Sequence, residues 1–112
     1  MRLACSVRLA AIGAATLFAM SAAAESSLQP VRGARLYVQT SGSGAPLVFL
    51  HGGMHHFDNT FTQQRDFFAV FRRVIGVDQR GHGHSPDTDQ PFSYREMAED
   101  TAALIQLSLI HI

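Results

Sequence analysis

The sequence predicts an α/β protein, and three observations predict it. Two short apolar runs of the kind buried on both faces of a sheet, residues 47–50 (LVFL) and 74–77 (VIGV), are separated by a stretch with helical periodicity, and a capped amphipathic helix follows the second run. Strand, helix, strand, helix is the order of a sheet with helices on its faces. The length of 112 residues suits one small domain, and an apolar content of 46% is that of a globular chain rather than a disordered one.

Charge excludes some function classes. The basic residues are all arginine and are balanced by as many acids, with no basic block to hold nucleic acid and no acidic tail. Charge does not oppose a small-molecule partner and says little more about one.

Residues 1–24 are expected to be a secretory signal. Arg2 and Arg8 give a positive start, residues 9–20 (LAAIGAATLFAM) form an apolar run, and Ala22, Ala23 and Ala24 offer an A-x-A cleavage site before Glu25. The run is short for a bilayer span, which takes about 20 apolar residues. An uncleaved anchor is the weaker alternative. Cys5 precedes the apolar run, whereas a lipid-attachment cysteine would follow it, so the only cysteine leaves with the signal. The exported remainder then has neither a disulfide nor a thiol nucleophile. It is expected in the periplasm or medium, with no membrane attachment.

Leu36, Tyr37 and Val38 read as a strand, residues 41–46 (SGSGAP) as a turn, and residues 47–50 as the first buried strand. Phe61, Gln64, Phe68 and Phe71 at helical spacing predict a helix over residues 59–71, with Asp58 or Thr60 available as its cap. Residues 74–77 form the next buried strand, stopped by Asp78 and a glycine-rich loop. Ser93 and Glu96 then make a capping box, and Tyr94, Met97, Ala98, Thr101 and Ile105 mark one face of an amphipathic helix.

The two buried strands lead into two loops, and open α/β sheets place their ligands where such loops gather. The first is His51, Gly52, Gly53 and Met54. Paired glycines there let the backbone turn sharply and aim N–H groups into a crevice, as an oxyanion hole requires. The second is residues 78–85 (DQRGHGHS).

FLHGGM followed by VDQRGHGHS resembles the amino-terminal third of an α/β-hydrolase fold protein, over roughly residues 33–106. The resemblance implies the amino-terminal part of an α/β-hydrolase sheet, cut before the nucleophile elbow. It implies that Gly53, or else Met54, supplies an oxyanion-hole N–H, and that His51, Gly52, Asp78, Arg80, Gly81 and Gly83 shape and register the two loops. The complete enzyme would hydrolyse an ester, lactone or related acyl substrate with a Ser, His and acid triad, using no metal or organic cofactor. The triad is expected beyond residue 112, after the strand that follows the last helix. The closing residues 107–112 (LSLIHI) read as one frame of a sequencing adaptor and are expected to be foreign to the gene, so His111 is not a catalytic candidate. An epoxide hydrolase or dehalogenase with an aspartate nucleophile is the alternative within the fold.

Ser85 sits in GHGHSPD, which looks like half of a G-x-S-x-G nucleophile elbow. The residue after such a serine must donate its N–H to the oxyanion, and here that residue is Pro86, which has none. Asp87 replaces the glycine two positions on. Ser85 is therefore expected to be structural. A rival of another class is a periplasmic metal-binding or ligand-binding protein without catalysis, with His51, His55, His56, His82 and His84 as ligands. Gly52 and Gly53 keep His51 and His55 off one helical face, and no H-E-x-x-H pattern is present, so no metal site is assigned.

Overall fold

The computed structural model describes residues 24–110. Its elements are β1 (Glu25–Val31), β2 (Ala34–Ser41), β3 (Pro46–Leu50), α1 (Phe57–Phe68), β4 (Arg73–Asp78) and α2 (Tyr94–Ile110). The strands form one sheet in the order β1-β2-β4-β3. β2 runs antiparallel to both β1 and β4, whereas β3 and β4 are parallel and joined through α1. The α/β architecture expected from the sequence is present as a mixed sheet flanked by helices. Apart from Ala24, the leader expected over residues 1–24 lies outside the described residues, and no helix among those described is long and apolar enough to cross a membrane. α2 continues through residues 107–110 of the closing segment.

β1 has no counterpart in the sequence reading. ESSLQPV begins polar and contains Pro30, which a sheet tolerates only at an edge, and β1 is an edge strand. It pairs with β2 through Val31 opposite Ala34, across a two-residue turn in which Arg32 (φ 47°) and Gly33 (φ 79°) are both left-handed, as a primed hairpin turn requires.

β4 is the central strand. Ile75 and Val77 face one side of the sheet, where they pack with Val31, Leu36, Val38 and Leu104 of α2. Burying each such side chain stabilises by about 1.5–3 kcal/mol, and this cluster fixes α2 on the sheet. Gly76 faces the other side, directly under the Phe57 ring, so closely that an added Cβ would collide with it. Phe49 of β3 extends this second layer, stacking with Phe61 and Phe68 at ring distances of 4.9 and 5.9 Å.

Expectations for three elements need correction. Residues 47–50 are not buried on both faces: β3 is an edge strand among the described residues, Leu50 is 45% exposed and Leu47, Val48 and Phe49 are half-buried. Its apolar run matched β4 in composition, but its second edge has no partner strand. α1 begins at Phe57 rather than at 59 and ends at Phe68 rather than at 71. Asp58 and Thr60 do not cap it: Asp78 Oδ1 accepts the Phe57 N–H at 2.8 Å, and Asn59 Oδ1 accepts the His56 N–H at 2.9 Å. In α2 only half of the capping box forms, with Ser93 Oγ accepting the Glu96 N–H at 3.2 Å while the Glu96 carboxylate turns to Arg32. The buried side of α2 carries Asp100 and Leu104, and Tyr94, placed on the apolar face by periodicity, is 90% exposed.

Candidate active site

β3 and β4 are parallel, so the loops that leave Leu50 and Asp78 emerge at the same end of the sheet. His51 ties them together. Its Nε2 accepts the Gln79 N–H at 2.9 Å, its Nδ1–H donates to Gly52 O at 2.7 Å, and its own carbonyl accepts from Gln79 Nε2 at 2.9 Å. These partners require a neutral ring with the proton on Nδ1. Burial pushes the His51 pKa below the ordinary histidine value, against the pull of the Gly52 carbonyl and with help from His82.

Gly52 O also accepts the His55 N–H, at 3.4 Å, closing a turn over Gly53 and Met54. Met54 is left-handed (φ 62°), where a glycine is usual, and its side chain is 96% exposed. Among the described residues, the Gly53 and Met54 N–H groups have no acceptor. Two successive free backbone donors in such a turn form a concavity suited to an anion. Leu50, His51, Gly52, Gly53, Gln79 and Met97 line a cleft of about 440 Å³ beside it. A second hollow of about 280 Å³, between β1 and the last turns of α2, includes neither loop.

The second loop is built around Asp78. Oδ1 takes the Phe57 N–H, and Oδ2 takes the His84 N–H at 2.9 Å and faces His84 Nδ1 at 3.1 Å. Burial alone would raise the carboxyl pKa, but the His84 and Phe57 N–H groups outweigh it and hold the group below the usual carboxylate range. Gly81 (φ 70°) and Gly83 (φ 50°) supply the left-handed turns, and a Cβ on Gly83 would strike Asp78 Oδ2. Arg80 reaches the other way, to a bidentate pair with Asp100 on α2 and to Gln90 Oε1.

Ser85 is 4% exposed and fully committed. Its hydroxyl donates to Asp78 O at 2.5 Å and accepts the Tyr37 N–H at 2.8 Å. It is a staple between β2 and the loop.

The histidines do not converge. Among the described residues no group of three or more His, Cys, Asp or Glu could hold a metal ion. His51 and His82 lie tilted against each other at 5.1 Å, His56 and His84 form a separate pair at 6.1 Å, and His55 is exposed. Both His51 nitrogens are engaged, and His82 Nδ1 donates to Arg80 O at 3.0 Å.

Sequence reasoning passed over four residues that hold the site. Gln79 had no pattern to reveal it, because its grip on His51 runs partly through its backbone. Tyr37 acts by its N–H alone. Asp100 interrupts an apolar helix face and so left a readable trace. Arg32 carried none, since its carboxylate partners lie 64 to 68 positions away.

A parallel β-α-β unit whose two loops meet over a cleft defines the class: an open α/β protein, of the kind in which ligands bind at the carboxyl ends of the strands. Residues 45–111 match the family described as the alpha/beta hydrolase fold, and the chain belongs to that family. It is 36% identical over 70 residues to the AB hydrolase superfamily protein YisY of Bacillus subtilis (strain 168), covering 62% of this chain and 26% of that protein. Among solved structures, the epoxide hydrolase CorEH matches with a TM-score of 0.71 and 30% identity over 76% of this chain and 30% of that one. The esterase EaEST from Exiguobacterium antarcticum matches with a TM-score of 0.64 and 38% identity over 71% of this chain and 30% of that one. The chain thus spans about a quarter to a third of the length of these relatives.

Proposed function

We propose that the complete protein is a serine-type hydrolase of an ester, lactone or related acyl substrate, exported to the periplasm or medium, and that the first loop supplies its oxyanion donor. The observation that carries this reading is the Gly53 N–H, which lacks an acceptor among the described residues and sits beside the cleft. A tetrahedral acyl intermediate places negative charge on an oxygen, and a fixed backbone N–H stabilises it at no reorganisation cost. On this reading the nucleophile, acid and histidine come from chain beyond residue 112, and the likeness to an esterase at 38% identity supports an ester substrate. An epoxide hydrolase with an aspartate nucleophile is the second reading, favoured by the likeness to CorEH.

The full-length protein should be assayed on p-nitrophenyl acetate and on styrene oxide. The acyl reading expects ester turnover, reduced about a hundredfold by Gly53→Pro, which has no backbone N–H, since one such donor is worth about 3 kcal/mol. Epoxide opening without ester turnover would replace it with the second reading, and an unchanged rate in the variant would move the donor elsewhere.

A further inference from the structure

The Gly52 carbonyl and the Gly53 N–H are two ends of one planar group. No peptide among the described residues is cis, so this N–H points opposite to that C=O. Whatever grips Gly52 O therefore aims the Gly53 N–H. Two consecutive glycines cannot hold that plane by themselves, because neither has a Cβ to restrict a peptide flip. A Cβ on either would meet nothing within 4 Å, so packing does not hold it either.

The strongest grip comes from His51, whose Nδ1–H lies 2.7 Å from Gly52 O, against 3.4 Å for the His55 N–H. The ring is itself oriented by the Gln79 N–H on Nε2, while the Gln79 side chain holds the His51 carbonyl. We propose that His51 is the positioning residue for the oxyanion donor: with its tautomer set by Gln79, it anchors Gly52 O and so turns the Gly53 N–H away from the ring. The proposal rests on the reading of Gly53 as that donor and goes beyond loop registration, because it assigns the function to one nitrogen. Registering the loops needs Nε2, on Gln79. Aiming the donor needs Nδ1–H, on Gly52 O.

Asparagine and glutamine separate the two nitrogens. The Asn amide nitrogen overlays Nδ1 and can still donate to Gly52 O, whereas the Gln amide reaches the Nε2 position and can only serve Gln79. In the full-length protein assayed on p-nitrophenyl acetate, His51→Gln is expected to lower kcat on the order of tenfold with KM within about twofold, as loss of one orienting hydrogen bond implies. His51→Asn is expected to lose less than about threefold. The reverse order, or equal losses, would overturn the proposal in favour of loop registration alone. A second measurement does not depend on turnover or on the variants folding: ¹⁵N NMR of the wild-type imidazole should show the Nδ1–H tautomer. An Nε2–H or doubly protonated ring at neutral pH would overturn the proposal. Absence of ester turnover with an Nδ1–H ring would count against the acyl reading and leave the orientation of the peptide intact.

Discussion

Arg80 and Asp100 form a two-pronged ion pair inside the protein, Nε to Oδ2 at 3.0 Å and Nη2 to Oδ1 at 2.9 Å, with side chains 2% and 4% exposed. Arg32 adds a third contact, its Nη1 lying 3.0 Å from the same Oδ1. The pair locks the second loop to α2. Removing one partner would strand a buried charge, so Asp100→Ala is expected to cost about 3–5 kcal/mol. Glu99→Ala, which breaks only exposed pairs with Arg32 and Arg95, should cost less than about 1 kcal/mol. Chemical denaturation of both variants checks the contrast, and equal costs would contradict it.

Gly76 is required by the Phe57 ring. Gly76→Ala should destabilise by about 1–3 kcal/mol through overpacking, although alanine suits a strand better than glycine does. Trimming the ring should relieve the clash, so the Gly76→Ala and Phe57→Leu pair is expected to be less destabilised than the sum of the single changes. Strict additivity would mean that the ring is not what excludes the side chain.

Ser85→Ala separates the staple from a nucleophile. It removes the acceptor of the Tyr37 N–H and the donor to Asp78 O, and is expected to cost about 1–3 kcal/mol of stability. Ester turnover by the full-length protein, measured below the unfolding temperature, should stay within about twofold. Turnover abolished without loss of fold would restore Ser85 as the nucleophile.

Two groups make stability fall with acid. The His51 pKa is lowered by burial, so the unfolded chain takes up the proton first. Its contribution is complete above the unfolded value of about 6.5 and is lost as pH falls from there through the folded value. The Asp78 pKa is lowered by the N–H groups it accepts, so its contribution is complete above the unfolded value of about 3.9 and is lost as pH falls through a still lower one. Melting temperatures should therefore decline in two stages. His51→Asn should remove the first and Asp78→Asn the second. A first stage that persists in His51→Asn would assign it to another histidine.

The 112-residue protein expressed by itself is expected to self-associate. β3 offers a free edge among the described residues, with the apolar Leu47, Val48, Phe49 and Leu50 along it. Analytical ultracentrifugation checks this, and a monomer with a cooperative thermal transition would contradict it.

The sequence disclosed most where a local pattern matched a local cause. The apolar run at residues 74–77 met a fully covered strand, and Pro86 identified Ser85 as unsuited to an elbow before its hydroxyl was seen to be occupied. It disclosed least where the cause was distant. The same apolar pattern at residues 47–50 marks a strand that the sheet of the family would pair on both sides, and its second edge is free among the described residues, because pairing belongs to the sheet and not to the strand. α1 starts at Phe57 because a carboxylate 21 positions later receives its N–H, and no window of helical periodicity contains that information. The five histidines weighed as a rival ligand set fall in space into two pairs with His55 apart. Gln79 lay between two recognisable neighbours and carried no signal of its own.

The Arg32 turn has a consequence for the order in which the molecule assembles. Arg32 and Tyr37 leave the ribosome long before their partners, since Asp100 follows Arg32 by 68 positions and Ser85 follows Tyr37 by 48. The β1–β2 hairpin can close at once from local contacts, but the second loop lacks its Arg80–Asp100 clasp until α2 is out of the exit tunnel. Contacts of such separation are slow to form. In time-resolved refolding, the hairpin amides should gain protection from exchange ahead of those around Ser85. The loop that braces the candidate donor would thus mature after the hairpin, on a frame already standing.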